Sequence, residues 1–338
     1  MRAARLTDLA AVSELSRLSH GGDGTGGAPA HMRTLGLPVS SGQISVFSLF
    51  RLPLGAFLPG DLLYVYEERG HVTGLARVEH EGLRDEFTIV ELDAVDDGTA
   101  GDIRFRLVQH LMRDAVKRTG LRFHVACADE AGNVELFMQA GFARYGEEQL
   151  FYRPPDRPEG QSMTASDAAQ HGIRPAQPLD ALELDRLYHA ATPGPVVRLE
   201  NYRLVDWERQ GNHWRVPRSA LTPLLRFADL EAYVQASPTD DSLLAFCQIG
   251  TAKADQPDYL RVISRPDHDP TDLIAFGVAQ ARRHRAGRGI VSAVRSYESP
   301  LDRRLAENGF DSLAVVSLLM REMAQRVEEP ALIPVGIR

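Results

Sequence analysis

A chain of 338 residues, 43% hydrophobic and 25% charged, has room for two domains of ordinary size, each with its own core. Its formal net charge of -8 is the wrong sign for general attraction to nucleic acid or an acidic membrane, so neither is expected as a partner. The only cysteines are Cys127 and Cys247, and no Cys or His spacing suits a metal, which argues against a disulfide framework or zinc site and for a reducing cytoplasm.

In chain order, the opening MRAARLTDLAAVSELSRL predicts a helix and lacks the apolar core of a signal peptide. No later run approaches the roughly 20 apolar residues that cross a bilayer. The glycine-rich segment HGGDGTGGAPAHMR, 20 to 33, follows no predicted strand and lacks Gly-Lys-Ser/Thr, so it reads as a loop rather than a nucleotide cradle. Strands are predicted at 62 to 68, 72 to 80, 87 to 95, 121 to 128 and 144 to 153, with a helix at 103 to 118 between the third and fourth. The Pro-, Ser- and Gly-rich stretch 153 to 172 reads as a linker. Beyond it, strands are predicted at 231 to 236, 242 to 250, 259 to 265, 290 to 296 and 312 to 322. The chain therefore divides into an N-terminal domain (1 to 152), a linker, a C-terminal domain (173 to 325) and a tail (326 to 338). Hairpin-linked strands feeding a strand–helix–strand crossover imply a mixed α/β sheet with helices packed on it.

The second half repeats landmarks of the first about 170 residues later and in the same order. Arg2-Ala3-Ala4 is echoed by Arg174-Pro175-Ala176, Tyr64-Val65 by Tyr233-Val234, and Gly141-Phe142 by Gly309-Phe310. The helix ending in Lys117-Arg118-Thr119-Gly120 is likewise echoed by the one ending in Gly287-Arg288-Gly289. One fold used twice is the expectation.

The order of elements, together with RAARLTDLAAVSEL, GHVTGLARVE, FTIVELDAV and the endings FMQAGF (137 to 142) and LAENGF (305 to 310), resembles the GNAT N-acetyltransferase superfamily, once in each half. The resemblance covers about 2 to 152 and 173 to 325. It implies a sheet splayed between its fourth and fifth strands. Acetyl-CoA or another acyl-CoA would enter as donor, with its pyrophosphate on backbone N–H groups where the helix begins. On this chain those positions are Val95, Thr99, Ala100, Gly101, Asp102 and Ile103.

The family's Gln/Arg-x-x-Gly-x-Gly/Ala loop is not reproduced here. Neither glycine position holds glycine when Thr99 to Arg104 is laid on it, and Asp96, Asp97 and Asp102 surround the place where phosphate would sit. Thr99-x-x-Asp102 and Asp269-x-x-Asp272 have capping-box spacing, and Pro270 sits where a helix accepts proline first, so both helices are expected to cap themselves.

Acyl transfer to an amine also needs a base and often an acid that protonates the departing thiolate. The family's tyrosine four residues before Gly-Phe is replaced by Phe137 and Leu305. Glu91, on one strand face with Asp93, is the candidate base, and Tyr145 the candidate hydroxyl. Cys127 and His124 lie three apart on a strand and so point to opposite faces, which leaves Cys127 as a core thiol. The basic helix tail RRHRAGR, 282 to 288, suits the helix dipole better than nucleic acid. Two functional classes follow: an acyl-CoA-dependent N-acyltransferase acting on a small-molecule or peptide amine, and a catalytically inactive GNAT-fold binding or structural protein with degenerate loops. Homo-oligomerisation is compatible with both, and no metal is required.

Overall fold

The computed structural model describes residues 1–8, 10–12, 15, 62–81, 85–95, 98–117, 121–129, 132–158, 165–209, 218–225, 227–240, 242–253, 256–284, 287–298 and 300–323. The glycine-rich segment 20 to 33, Asp96, Asp97 and the tail 326 to 338 lie outside them. The first half runs β1 (Arg2–Ala3), β2 (Leu62–Glu68), β3 (His71–Glu81), β4 (Glu86–Ala94), α1 (Ala100–Val116), β5 (Arg122–Cys127), α2 (Asn133–Gln139) and β6 (Ala143–Arg153). The second runs α3 (Ala165–Gln170), β7 (Ile173–Pro175), α4 (Ala181–Ala191), α5 (Gly194–Glu200), α6 (Leu204–Arg209), β8 (Phe227–Ala236), β9 (Leu243–Ala252) and β10 (Asp258–Ser264). It closes with α7 (Thr271–His284), β11 (Ile290–Arg295), α8 (Pro300–Glu307) and β12 (Asp311–Glu322). No helix among the described residues is long and apolar enough to cross a membrane.

The repeat is visible in atomic detail. Arg2 forks onto Asp8 at 2.6 and 2.9 Å while the Arg5 N–H donates to the same carboxylate. Arg174 forks onto Asp180 at 2.8 and 2.7 Å while the Gln177 N–H donates to it. Val65 and Tyr64 pair with Arg2 and Ala3, as Val234 and Tyr233 pair with Arg174 and Pro175. Both Gly-Phe endings close a helix alike. Gly141 (φ 87°) and Gly309 (φ 83°) turn left-handed, and the N–H groups of Phe142 and Phe310 reach back to the carbonyls of Phe137 and Leu305.

The twelve strands among the described residues form one sheet in the order β1-β2-β3-β4-β5-β12-β6-β11-β10-β9-β8-β7. The last strands are exchanged: β12 pairs with β5 of the first half, β6 pairs with β11 of the second, and β6 and β12 pair with each other. Cutting the chain at 152 and 173 therefore separates the repeats in sequence but not in space. The expected linker is also structured in part. β6 ends on buried Arg153, which donates to the carbonyls of Asn308 and Pro158 at 2.8 Å, and α3 follows.

One face of the sheet carries α1 and α2 in the first half and α7 and α8 in the second. Ile103, Leu107, Val108, Leu111, Met112 and Ala115, spaced at helical intervals on α1, bury against Ala76, Val78, Ile89 and Val125. A Cβ at Gly74 would stand 2.5 Å from Ile103 Cγ2 and 3.0 Å from Leu107 Cδ1, so glycine on β3 sets how closely α1 lies on the sheet. The opposite face carries a cluster built on Leu150, Leu221, Leu225, Tyr259, Val291 and Val316, which joins the two halves.

Candidate functional site

The parallel pairing of β4 with β5 runs from Glu86 and Arg122 to Ile89 and Val125 and then stops. A bulge begins at the same place: Val78 faces Ile89 and Arg77 faces Glu91, so Val90 is extra and bends β4 away. The opening is reached from both faces. On the α1 face a cleft of about 380 Å³ is lined by residues that include Leu92, Arg104, Cys127, Asn133 and Phe137. On the other face a pocket of about 650 Å³ is lined by residues that include Thr88, His124, Tyr145, Arg218, Leu221 and Leu318. Ile89, Val90, Val125 and Ala126 line both, and they frame an aperture in the sheet.

The start of α1 stands beside the first cleft. Arg104 in its first turns donates to Asn133 Oδ1 at 3.1 Å, which ties α1 to α2. Contrary to the capping expectation, Thr99 makes no side-chain cap, and Asp102 turns along the helix to Arg106 at 2.7 Å. The pair is solvent-exposed and leaves Asp102 in the first turn. Val95 and Ile103 spend their N–H groups inside the fold, on the carbonyls of Thr73 and Thr99, so the first turn at Ala100, Gly101 and Asp102 is the part able to face a ligand. A Cβ at Gly101 would meet nothing within 4 Å, so this backbone is open to close approach. The second half differs. Asp269 accepts from the N–H and hydroxyl of Thr271 at 3.1 and 2.6 Å, Asp272 pairs with His171 at 2.8 Å, and Pro270 precedes the helix rather than opening it.

Of the sequence candidates, Glu91 is buried and forms an ion pair with Arg77 at 3.1 Å, just past the bulge. Glu91 also lines the α1-side cleft, whereas its partner Arg77 alternates with Ala76 and Val78, which face α1, and so draws the carboxylate toward the opposite face of the sheet. Asp93, expected to share Glu91's face, is buried as well. Tyr145 forms part of the larger pocket. Its hydroxyl is 3.4 Å from Glu200, and burial, with Glu200 adding to it, pushes its ionisation up to about 12. Cys127 and His124 do alternate on β5: Cys127 lines the α1-side cleft and His124 the other pocket, with both imidazole nitrogens buried. Burial pushes the Cys127 thiol up to about 12, so it is not a nucleophile at neutral pH.

Sequence reasoning passed over the buried charges of the larger pocket. Glu86 is 2.5 Å from Arg218 and 3.6 Å from His124 Nε2, and Arg218 also donates to Thr88 at 2.5 Å. Arg218 comes from the second half. Behind Tyr145, Arg295 bridges Glu148 at 2.7 Å and Glu200 at 2.8 Å, and Glu148 accepts from the Ala220 N–H at 2.6 Å. Burial works against the charge on Arg295, yet Glu200 and Glu148 hold its ionisation well above the ordinary arginine range. The available signal was a set of charges, Glu86, Arg261 and Arg295, set in otherwise apolar strand runs; their partners lie 36 to 147 positions away.

No family model and no curated protein matches the sequence. Solved structures do. The tandem GNAT protein from the clavulanic acid biosynthesis pathway superposes with a TM-score of 0.54 at 13% identity, over 96% of this chain and 98% of its own. A GCN5-related N-acetyltransferase from Sphaerobacter thermophilus gives 0.53 at 12% identity, over 97% and 96%. The chain has the tandem GNAT fold. Within it the two GNAT halves have diverged at the splay. In the second half the β10–β11 pairing ends at Leu260 and Ser292 without a bulge between β9 and β10. Arg261 then forks onto Glu298 at 2.9 and 2.8 Å and donates to the Ala293 carbonyl across the gap. A buried ion pair stands there where the first half has an aperture.

Proposed function

We propose that the first half transfers an acyl group from an acyl-coenzyme A to an amine, and that the second half is a scaffold completing the acceptor side. The observation that carries this reading is the shared aperture: a donor lying on the α1 face and an acceptor on the other face would meet at Ile89, Val90, Val125 and Ala126. The residues fit such a donor, since the first turn of α1 is uncapped by Thr99 and its backbone is open at Gly101. Bound there, the donor would supply a thioester carbonyl. Glu91 is engaged by Arg77, so the proton shed by the amine passes to His124, which lines the acceptor pocket beside Glu86.

Calorimetric titration of the full chain with acetyl-CoA tests the reading. Saturable binding is expected, tightened a few-fold by Asp102→Gly, which removes a carboxylate and releases Arg106. Ala126→Trp, which fills the aperture, should abolish thiol release with phenethylamine as acceptor. No binding by the unmodified protein overturns the proposal. Phenylalanine at 137, which leaves the α1-side cleft without a hydroxyl there, favours a second reading as a non-catalytic acyl-CoA binder. Saturable binding with no thiol release would establish that one instead.

A further inference from the structure

The pocket beyond the aperture is assembled by both halves and is largely apolar. Ile89, Val125 and Ala126 border the opening, Leu150 and Leu318 come from the exchanged strands β6 and β12, and Leu221 with Leu224 arrive on the segment after Arg218. Its polar groups are Thr88, His124, Tyr145, Arg218 and Ser219, with no Asp or Glu among the described lining residues. The acids around it are already engaged: Glu86 by Arg218, Glu148 and Glu200 by Arg295 together with the Ala220 N–H and Tyr188, and Glu91, across the aperture, by Arg77. A ligand with several ammonium groups would lose its hydration here without a carboxylate to receive it, and Arg218 would repel it. A ligand with one amino group and a hydrocarbon body would bury that body against the leucines and present its nitrogen at the polar end, where His124 stands.

Resting on the acyl-transfer reading, we propose that the acceptor is a primary monoamine with an apolar, branched or aromatic body, selected by the pocket that the second half completes. Polyamines and aminoglycosides are excluded by the same lining.

Calorimetry of the full chain, with and without coenzyme A, compares phenethylamine with spermidine. Phenethylamine is expected to bind at least tenfold tighter in one or both states. Leu224→Asp, at a half-buried position that tolerates a polar group better than the core leucines, should reverse the preference by placing a carboxylate in the wall. A gain in spermidine binding cannot come from misfolding. Equal or tighter binding of spermidine by the unmodified protein overturns the proposal, as does a Leu224→Asp variant that binds phenethylamine and leaves the ratio unmoved. An acetyl-CoA titration run alongside separates the two ideas. Amine preference without donor binding removes the transferase and keeps the pocket, whereas donor binding without amine preference removes the pocket's chemistry and keeps the transferase.

Discussion

At the scale of single residues, paired charges do two different jobs. Asp8 and Asp180 are structural. The Arg2 guanidinium holds the Asp8 carboxyl below the usual aspartate range; for Asp180, burial opposes ionisation, but Arg174 and the Gln177 N–H outweigh it. A carboxyl whose ionisation is easier in the folded state contributes stability above its unfolded value and loses it as pH falls through the folded one. Asp8→Asn and Asp180→Asn should each cost about 1–2 kcal/mol at pH 7 in urea titrations. The gap to the unmodified protein should close on acidification below about pH 4. Under the proposed acyl transfer His124 is the functional case, surrounded by Glu86 from β4, Arg122 from its own strand, Tyr145 from β6 and Arg218 from the second half. His124→Asn keeps a polar group of similar size but cannot accept the amine proton. Its kcat should fall about 100-fold with KM little changed, and the rise of kcat with pH should disappear. A merely structural histidine would leave the shape of the pH profile intact.

Among elements, the placement of α1 determines the cleft. Its apolar stripe would bind it to almost any sheet, but Gly74 lets Ile103 and Leu107 come down onto β3, which brings the helix start beside the splay. Gly74→Ala inserts a methyl into contacts of 2.5 and 3.0 Å and should destabilise by about 1–3 kcal/mol. Thermal unfolding reports that cost. Because the helix must also lift, acetyl-CoA affinity measured by calorimetry should fall with it. The bulge at Val90 is the second element-scale feature. It turns β4 from β5 immediately after Ile89, whereas β9 and β10 keep an unbroken register and Arg261 closes the corresponding gap.

For the whole molecule, the exchanged strands make the halves interdependent. Separated fragments 1–158 and 165–323 would each retain their own last strand while losing the one received from the other half, leaving β5 and β11 as open apolar edges. Each fragment alone should be insoluble or lack a cooperative melt, and coexpression should restore a soluble complex. The intact chain should unfold in one calorimetric transition. Two independent transitions, or a fragment that folds alone, would show that the exchange does not couple the halves.

Local chemistry made much of the fold legible in advance. Strand LLYVYEE is legible at its observed bounds because its apolar and aromatic residues run together, and the paired echoes at Arg2 and Arg174, or Gly141 and Gly309, reflect groups that act on neighbours a few residues away. The same short range limited the reading. Thr99 and Asp102 have capping-box spacing, but Arg106, one turn further on, competes for the carboxylate. Glu91 was a candidate on strand face alone, and only β3 supplies the Arg77 that occupies it. The sequence by itself determined two copies of one α/β unit, since helical period, strand period and turn chemistry are all local. Tertiary structure decided that those copies exchange their last strands, that one splay is open while the other is closed by Arg261, and that Arg218 and Leu224 complete a pocket in the other half. These features rest on contacts between residues far apart in the chain, which leave no period and no spacing to read.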